Sequence, residues 1–416
     1  MEYFDDDDWD EESEPQSPKN SGNFDDELNE LKERLRSGGG STNIDVLEEI
    51  VGFYLEHEKY EEAFHFVELL VEYLPYNADA WTRKGVILNN LQRYAEALEC
   101  FDRALNLNPL DTELIINRGV SLDYLGRHEE ALASFDAVLQ MEPDNEDALF
   151  SKIVTYQKTD HWEEAISLLQ KILTGNPMHK EAWYELAFCY DMTERHADAL
   201  KCYETHLDID PYNYSAWYNR GIVFNRIGQY TKAIESYDMA LAIKEEFAQA
   251  WYNKGNALAN MGRLYDSIEC YREAIRVDPR DVPSWHNMGN AYEELGLYKE
   301  GIKCFTQVIK YDPKHYESLF GRGSCYDSLE QYRKAYNDYN KALALCKNYP
   351  ELWYAKADVA YNLGKWREAL IGYKMVVRFD PDNSEAWYDL GDTLLEYGYF
   401  KESLKTFNKC VELQPK

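Results

Sequence analysis

The chain has 416 residues, with 76 Asp and Glu against 44 Lys and Arg, a formal net charge of −32, and 45% hydrophobic residues. That balance argues against nucleic acid, whose phosphates call for clustered Lys and Arg, and against anionic membrane surfaces. No run approaches the roughly 18 apolar residues of a transmembrane helix, and the start MEYFDDDDWDEESE is the opposite of a basic, apolar signal peptide.

Residues 1–23 are acidic and rich in Ser, Pro and Asn, a composition expected to be disordered. Residues 1–43 carry 14 acidic and 4 basic side chains, net −10, and the other 373 carry 62 against 40, net −22, so the body is acidic in its own right. Residues 24–37, FDDELNELKERLRS, place Phe24, Leu28, Leu31 and Leu35 on one helical face. Acidic residues crowd its first turn and Lys/Arg its last, as the helix dipole prefers. Two readings stand: a lead-in or cap on the body that begins at Ile44, or a helix that docks into a groove of this chain or of a partner. On the second, the segment occupies the groove until displaced. Residues 38–42, GGGST, read as a flexible linker, and Asn43 as the cap of the next helix.

From Ile44 the chain repeats every 34 residues without insertion. Trp217, Gly221, Tyr237 and Ala240 return as Trp251, Gly255, Tyr271 and Ala274. Eleven repeats begin at 44, 78, 112, 146, 180, 214, 248, 282, 316, 350 and 384. Each reads as two helices of about 12–14 residues joined by a short turn. Pro75, Pro109, Pro143, Pro177, Pro211, Pro279, Pro313, Pro381 and Pro415 fall at position 32, where proline stops the second helix. Asn77, Asp111, Asn145, Asn213, Asp281 and Asn383 fall at position 34, where they can cap the next helix. Gly recurs at position 8 and Ala at position 20, where helices approach closely, and an aromatic at position 24 fills the space between them.

This pattern resembles the tetratricopeptide repeat family, W-x2-L-G-x2-Y, then A-x3-F, then P, over residues 44–416. The resemblance implies an all-α fold, a right-handed α-solenoid (superhelix) of eleven helix-turn-helix repeats, following the acidic segment 1–43. Three departures stand out. The family's Leu at position 7 is mostly Lys or Arg (Lys84, Arg118, Lys152, Arg220, Lys254, Arg322, Lys356). Val51 and Ile153 replace Gly at position 8, which is expected to spread the helix pair and change the curvature at the fourth repeat. Gly301 replaces Ala at position 20 and lowers helix propensity by about 1 kcal/mol.

Chemistry is sparse. There is no phosphate-binding Gly-rich loop ending in Lys-Ser/Thr, no HExxH, no GxSxG and no CxxC, and no catalytic residue, cofactor or metal site is assigned. His196, Cys202 and His206 form the sharpest metal candidate, yet His196 lies about 120° from Cys202 around the helix. Cys100, Cys202, Cys270 and Cys304 all stand at position 23 and read as packing residues, so a reducing cytoplasm fits the eight cysteines.

The resemblance also implies that first helices line a concave groove through positions 2, 5, 6, 9, 12 and 13. Position 5 runs Phe150, Tyr184, Tyr218, Tyr252, His286, Phe320, Tyr354, Tyr388. Position 6 carries Asn117, Asn219, Asn253 and Asn287, and position 9 carries Asn256 and Asn290. Amides can satisfy the backbone of an extended peptide, and tyrosines offer rigid apolar area with a polar tip. Equally, the tyrosines can pack against neighbouring repeats while the asparagines bond locally. The peptide-binding candidates are Asn117, Tyr184, Tyr218, Asn219, Tyr252, Asn253, Asn256, His286, Asn287, Asn290, Tyr354 and Tyr388. The basic column at position 7 either balances acids on the adjacent helix or draws a carboxylate ligand. The family's clamp for acidic tails needs Lys at position 5, which repeats four to eleven lack.

Functionally, the sequence points to a cytoplasmic, non-enzymatic scaffold or adaptor that holds an extended peptide or partner segment in its groove. Two alternatives are kept. One is an assembly protein that self-associates through a C-terminal repeat whose Leu404, Phe407, Val411 and Leu413 are expected to be partly bare. The other is a regulatory subunit of an enzyme on another chain.

Overall fold

The computed structural model describes residues 30–35 and 41–413. The readings placed on residues 1–29 and 36–40, Phe24 and Leu28 of the amphipathic segment among them, lie outside these. Among the described residues there is no strand; residues 30–35 are helical, and twenty-two further helices run from Ser41–Glu56 to Phe400–Leu413. They fall into two compact blocks, Met1–Thr174 and Gly175–Lys416, each a stack of helix pairs in which consecutive helices pack.

The expected caps form. Asn77, Asp111, Asn145, Asn213, Asp281 and Asn383 each accept a backbone N–H at the third helical residue. His179 and His315 do the same through Nδ1, a use of histidine the cap pattern had not suggested. One expectation fails. The first helix starts at Ser41, so Ser41 and Thr42 belong to it rather than to a linker, and Asn43 stands inside the first turn instead of capping it. No Gly or Pro separates Ser41 from Ile44 to stop the helix reaching upstream.

Inside each pair, the position-8 glycine lies flat against the position-24 ring. A Cβ on Gly85 would stand 2.6 Å from Phe101, and one on Gly255 2.6 Å from Tyr271. Repeat five sets Ala187 against Tyr203, both buried, and other exceptions compensate in volume. Repeat one pairs Val51 with Val67 and repeat four Ile153 with Leu169, all fully buried, so the larger residue at position 8 meets a smaller one at position 24. Repeat ten keeps Tyr373 but has Ala357 at position 8, accommodated by Gly372, whose added Cβ would stand 2.7 Å from that of Ala357. Gly301 is explained likewise: a Cβ there would meet Cys325 Sγ at 3.1 Å and the Gly289 carbonyl at 3.3 Å. Ala63, Ala97, Ala131, Ala165, Ala199, Ala233, Ala335 and Ala369 are all fully buried.

Two further devices hold the pairs in register. The turn between the helices pivots on position 15 in the left-handed region, with φ +73° at Gly228 and Gly262 but also +59° at Glu194 and +57° at Glu330. Each position-4 tryptophan donates its Nε1–H to a carbonyl in the turn before its helix. Trp217 reaches Pro211 at 2.9 Å, and Trp251 reaches Glu245 at 3.0 Å where no proline stands. Bulk and hydrogen bond together fix the angle at which each repeat leaves the last.

Residues 30–35 pack on the first repeat. Leu31 and Leu35 lie against the cluster of Val46, Leu47 and Ile50, and Arg34 pairs with Glu49 at 2.8 Å. This described turn of the amphipathic segment therefore caps repeat one.

Candidate functional site

One cleft in each block is lined by the groove positions of the first helices. In the first block a cleft of about 590 Å³ is bordered by Asn117, Val120, Asp123, Phe150, Val154 and Lys158, among others. In the second block a cleft of about 580 Å³ is bordered by Phe320, Asp327, Tyr339, Tyr354, Asp358 and Glu385, among others. Apart from Tyr339, on the second helix Tyr332–Leu345, these residues are presented by the 13-residue first helices, held by the caps and glycine–aromatic contacts above.

The asparagine and tyrosine columns meet each other. Asn219 Nδ2 donates to Tyr184 Oη at 2.8 Å, Asn253 Nδ2 to Tyr218 Oη at 2.8 Å, and Asn287 Nδ2 to Tyr252 Oη at 3.3 Å. Each bond spans one repeat plus one residue. Asn256 Oδ1 accepts from Tyr271 Oη and from Asn287 Nδ2, both at 2.8 Å. Beneath them, each position-5 ring packs on the position-24 ring of its own repeat, Tyr184 on Tyr203, Tyr218 on Tyr237 and Tyr252 on Tyr271, with centroids 6.0–6.1 Å apart. Tyr218, Asn219, Tyr252, Asn253 and Asn256 thus bond and pack within the stack, as the local alternative for these columns had it. An amide donor on one helix and a phenol on the preceding one stand at hydrogen-bond distance in the assembled stack, and half-burial makes that bond worth forming.

The remaining candidates divide. His286 Nε2 accepts from Asn290 Nδ2 at 3.1 Å, which leaves the proton on Nδ1 to donate to Ser318 Oγ at 2.8 Å. Burial, with His315 beside it, pushes its pKa down to about 4, so the ring is neutral. Tyr354 Oη donates to Asp389, the acid that holds position 6 of the last repeat. Tyr388 is 55% exposed, its ring on Phe407. Asn117 lines the first-block cleft, and its side-chain amide has no partner among the described residues.

The basic column at position 7 balances acids. Lys84 pairs with Glu68, Arg118 with Asp102, Lys152 with Asp136, Arg220 with Glu204 and Lys254 with Asp238, each on the second helix of the preceding repeat. Arg322 instead forms a buried two-pronged pair with Asp338 at 2.7 and 2.9 Å. Lys356 lies over the Trp353 and Tyr336 rings, its pKa lowered by burial.

Acidic groove residues of repeats eight to ten are the site that the column reading passed over. Glu293, Asp327 and Asp358 occupy positions 12, 12 and 9. Burial raises all three pKa values, that of Asp358 to about 6, with Asp389 and Asp327 adding repulsion. In the first block, burial works against Asp123 too, but hydrogen bonds from Lys158 and His128 outweigh it and lower its pKa. A reading of groove columns for charge, repeat by repeat, could have found the contrast; the chain's general acidity hid it.

His206 of the metal candidate is otherwise engaged, donating from Nδ1 to the Lys180 carbonyl at 2.7 Å and accepting from Asn213 at 3.0 Å. Burial pushes the Cys202 thiol up to about 12. Among the described residues, no group of three His, Cys, Asp or Glu could hold a metal ion, and no helix is long and apolar enough to cross a membrane.

Fold and clefts together define an α-solenoid repeat protein. Tetratricopeptide repeat models match residues 78–110, 202–235, 248–281, 270–303 and 384–416, and a TPR repeat model matches 223–262. A model of anaphase-promoting complex, cyclosome, subunit 3 matches 125–206 and 296–376. The chain belongs to the tetratricopeptide repeat family. Among solved structures, it is similar to the C-terminal part of a TPR repeat-containing protein from Cytophaga hutchinsonii, at 19% identity over 58% of this chain and 99% of that one, TM-score 0.52. It is also similar to YrrB, described as a TPR protein with an unusual peptide-binding site, at 23% identity over 44% and 94%, TM-score 0.41. Yeast Tom70 aligns at 13% identity over 90% and 92%, TM-score 0.39. These likenesses concern the fold. No curated protein sequence matches the chain.

Proposed function

We propose that the protein is a non-enzymatic interaction scaffold that holds an extended polypeptide segment along the first-helix face of residues 175–416. The observation that carries this reading is the tyrosine–asparagine ladder. It fixes half-buried amides at one-repeat intervals, and Asn253 uses one N–H, leaving a carbonyl and a second N–H without a protein partner among the described residues. Amides held this way by tyrosine lose little freedom when an extended backbone pairs with them. Asn290 and Gln249, exposed at groove positions 9 and 2, widen that polar strip. Asn117 extends the proposal to the cleft of the first block. Membership of a family built for stacking and contact, and the absence of any catalytic constellation in the sequence, support the same reading.

The test is selection of peptides from a displayed library on the full chain, followed by groove blockade. Asn290→Trp and Gln249→Trp should each weaken a selected peptide about tenfold or more, while Trp at Glu235 on a second helix leaves affinity unchanged. Equal effects at all three positions would remove the groove from the proposal.

A further inference from the structure

The groove changes character along the second block. In repeats six and seven its positions carry mostly amides, aromatics and aliphatics, and in repeat five Glu181 and Glu185 stand beside Asp191, which is paired with Arg226. In repeats eight to eleven, positions 2, 5, 6, 9, 12 and 13 hold no Lys or Arg and are rich in acids, among them Glu293, Asp327, Glu351, Asp358, Glu385 and Asp389. The nearby cations are engaged elsewhere. Arg322 is bound to Asp338, and Lys356 lies over the Trp353 and Tyr336 rings. The contacts of Glu293, Asp358 and Asp389 are with hydroxyls of Ser324, Tyr373 and Tyr354. Carboxylates gathered in a half-buried cleft without a counter-charge raise one another's energy, and a cation placed there relieves it.

A second observation at the same cleft is independent of the acids. Tyr339 is 1% exposed and lines the cleft. Two of its counterparts, Tyr271 and Tyr373, donate to Asn256 and Asp358 at position 9 of their own repeats, whereas Tyr237, with Ile222 there, has no partner among the described residues. Repeat nine has Ser324 there, hydrogen-bonded to Glu293, and the Tyr339 hydroxyl has no partner among the described residues. A buried phenol open to a cleft offers an oxygen that can accept from an ammonium or guanidinium. Phe320 and Tyr354 line the same cleft and present aromatic surface for the aliphatic stem of Lys or Arg.

We propose that the groove of repeats eight to eleven binds a polypeptide segment bearing Lys or Arg side chains, spaced to meet one acidic position per repeat. The inference rests on the scaffold reading above and names its partner class. First helices of neighbouring repeats are in contact. Packed helices lie about 8–10 Å apart, which an extended chain covers in roughly three residues, so basic side chains at every third position fit. A polypeptide is favoured over a free cation because the ladder of repeats five to seven continues the same face with groups suited to a backbone.

The experiment uses the full chain and two labelled twelve-residue peptides, one with lysine at every third position and one with glutamine in place of each lysine, titrated at two salt concentrations. The lysine peptide should bind at least about tenfold more tightly, and Asp327→Asn with Asp358→Asn should remove most of that advantage. Glu235→Gln with Glu300→Gln changes net charge equally on second helices and should leave it within about twofold. Melting curves confirm that both double variants fold, as isosteric changes allow. Equal loss in the two double variants would mean a diffuse field and overturn the site. Spermine binding as tightly as the lysine peptide would overturn the assignment to a polypeptide. Equal binding of both peptides, blocked by Asn290→Trp, would overturn the charge assignment and leave the scaffold standing; binding of neither would overturn both.

Discussion

Asn253 donates from Nδ2 to the hydroxyl of Tyr218 at 2.8 Å, joining two successive repeats through side chains of their first helices. The pair acts as a unit. Tyr218→Phe and Asn253→Ala should each destabilise the second block by about 1 kcal/mol, and the double variant should cost little more than the worse single change. Urea denaturation of the four proteins measures the coupling; additive losses would show that the bond contributes nothing.

Gly255 faces Tyr271 across the same repeat, with 2.6 Å between a would-be Cβ and the ring. Gly255→Ala should destabilise by about 1–3 kcal/mol because the ring must move in a packed interior. Repeat four indicates the remedy, since Ile153 faces a chain position held by Leu169 rather than an aromatic. Adding Tyr271→Leu to Gly255→Ala should recover part of the loss, read by hydrogen exchange of residues 248–277 as well as by melting.

Burial separates the ion pairs. Asp338 and Arg322 are 6% and 14% exposed, whereas Glu68 opposite Lys84 is 46% exposed. Asp338→Ala leaves a buried guanidinium unpaired and should cost about 3 kcal/mol. Lys84→Gln should stay within about 0.5 kcal/mol. Similar losses at the two sites would contradict the assigned burial.

Glu194 and Glu330 hold φ of +59° and +57° at the turn position where six repeats use glycine. A left-handed glutamate is strained by roughly 1 kcal/mol, so Glu330→Gly should raise stability by a few tenths to 1 kcal/mol despite the added freedom of the unfolded chain. A fall in the melting midpoint would count against it.

Asp358 titrates near 6 in the folded chain because it is buried and faces the carboxylates of Asp389 and Asp327, which the bond it accepts from Tyr373 offsets only in part. Its folded pKa lies above the unfolded value of 3.8, so the folded state holds the extra proton between these limits. Its effect is therefore most favourable below the unfolded pKa and is lost as pH rises through about 6. Asp358→Asn should stabilise the protein by about 1–2 kcal/mol at pH 8 and by almost nothing at pH 4. A gain independent of pH would point to packing instead.

The period, the caps, the proline stops and the glycine–aromatic contact were legible before any coordinates, because each depends on local backbone geometry that recurs every 34 residues. The family resemblance, laid on that period, supplied the groove positions that line the two clefts. What a single repeat cannot reveal is where its polar side chains go. Asn253 looks spare within its own repeat and is engaged only because Tyr218 arrives from the preceding one. Tyr339 looks like any other core tyrosine, and only the stack shows its hydroxyl left without the position-9 partner that Tyr271 and Tyr373 have. The acids of the last repeats are inconspicuous in a chain of net charge −32 and distinctive only once brought together in one cleft. Sequence determines each helix and its buried stripe through propensity and hydrophobic burial. Partnership between side chains a repeat apart depends on ångström-scale distances that exist only when the helices are stacked.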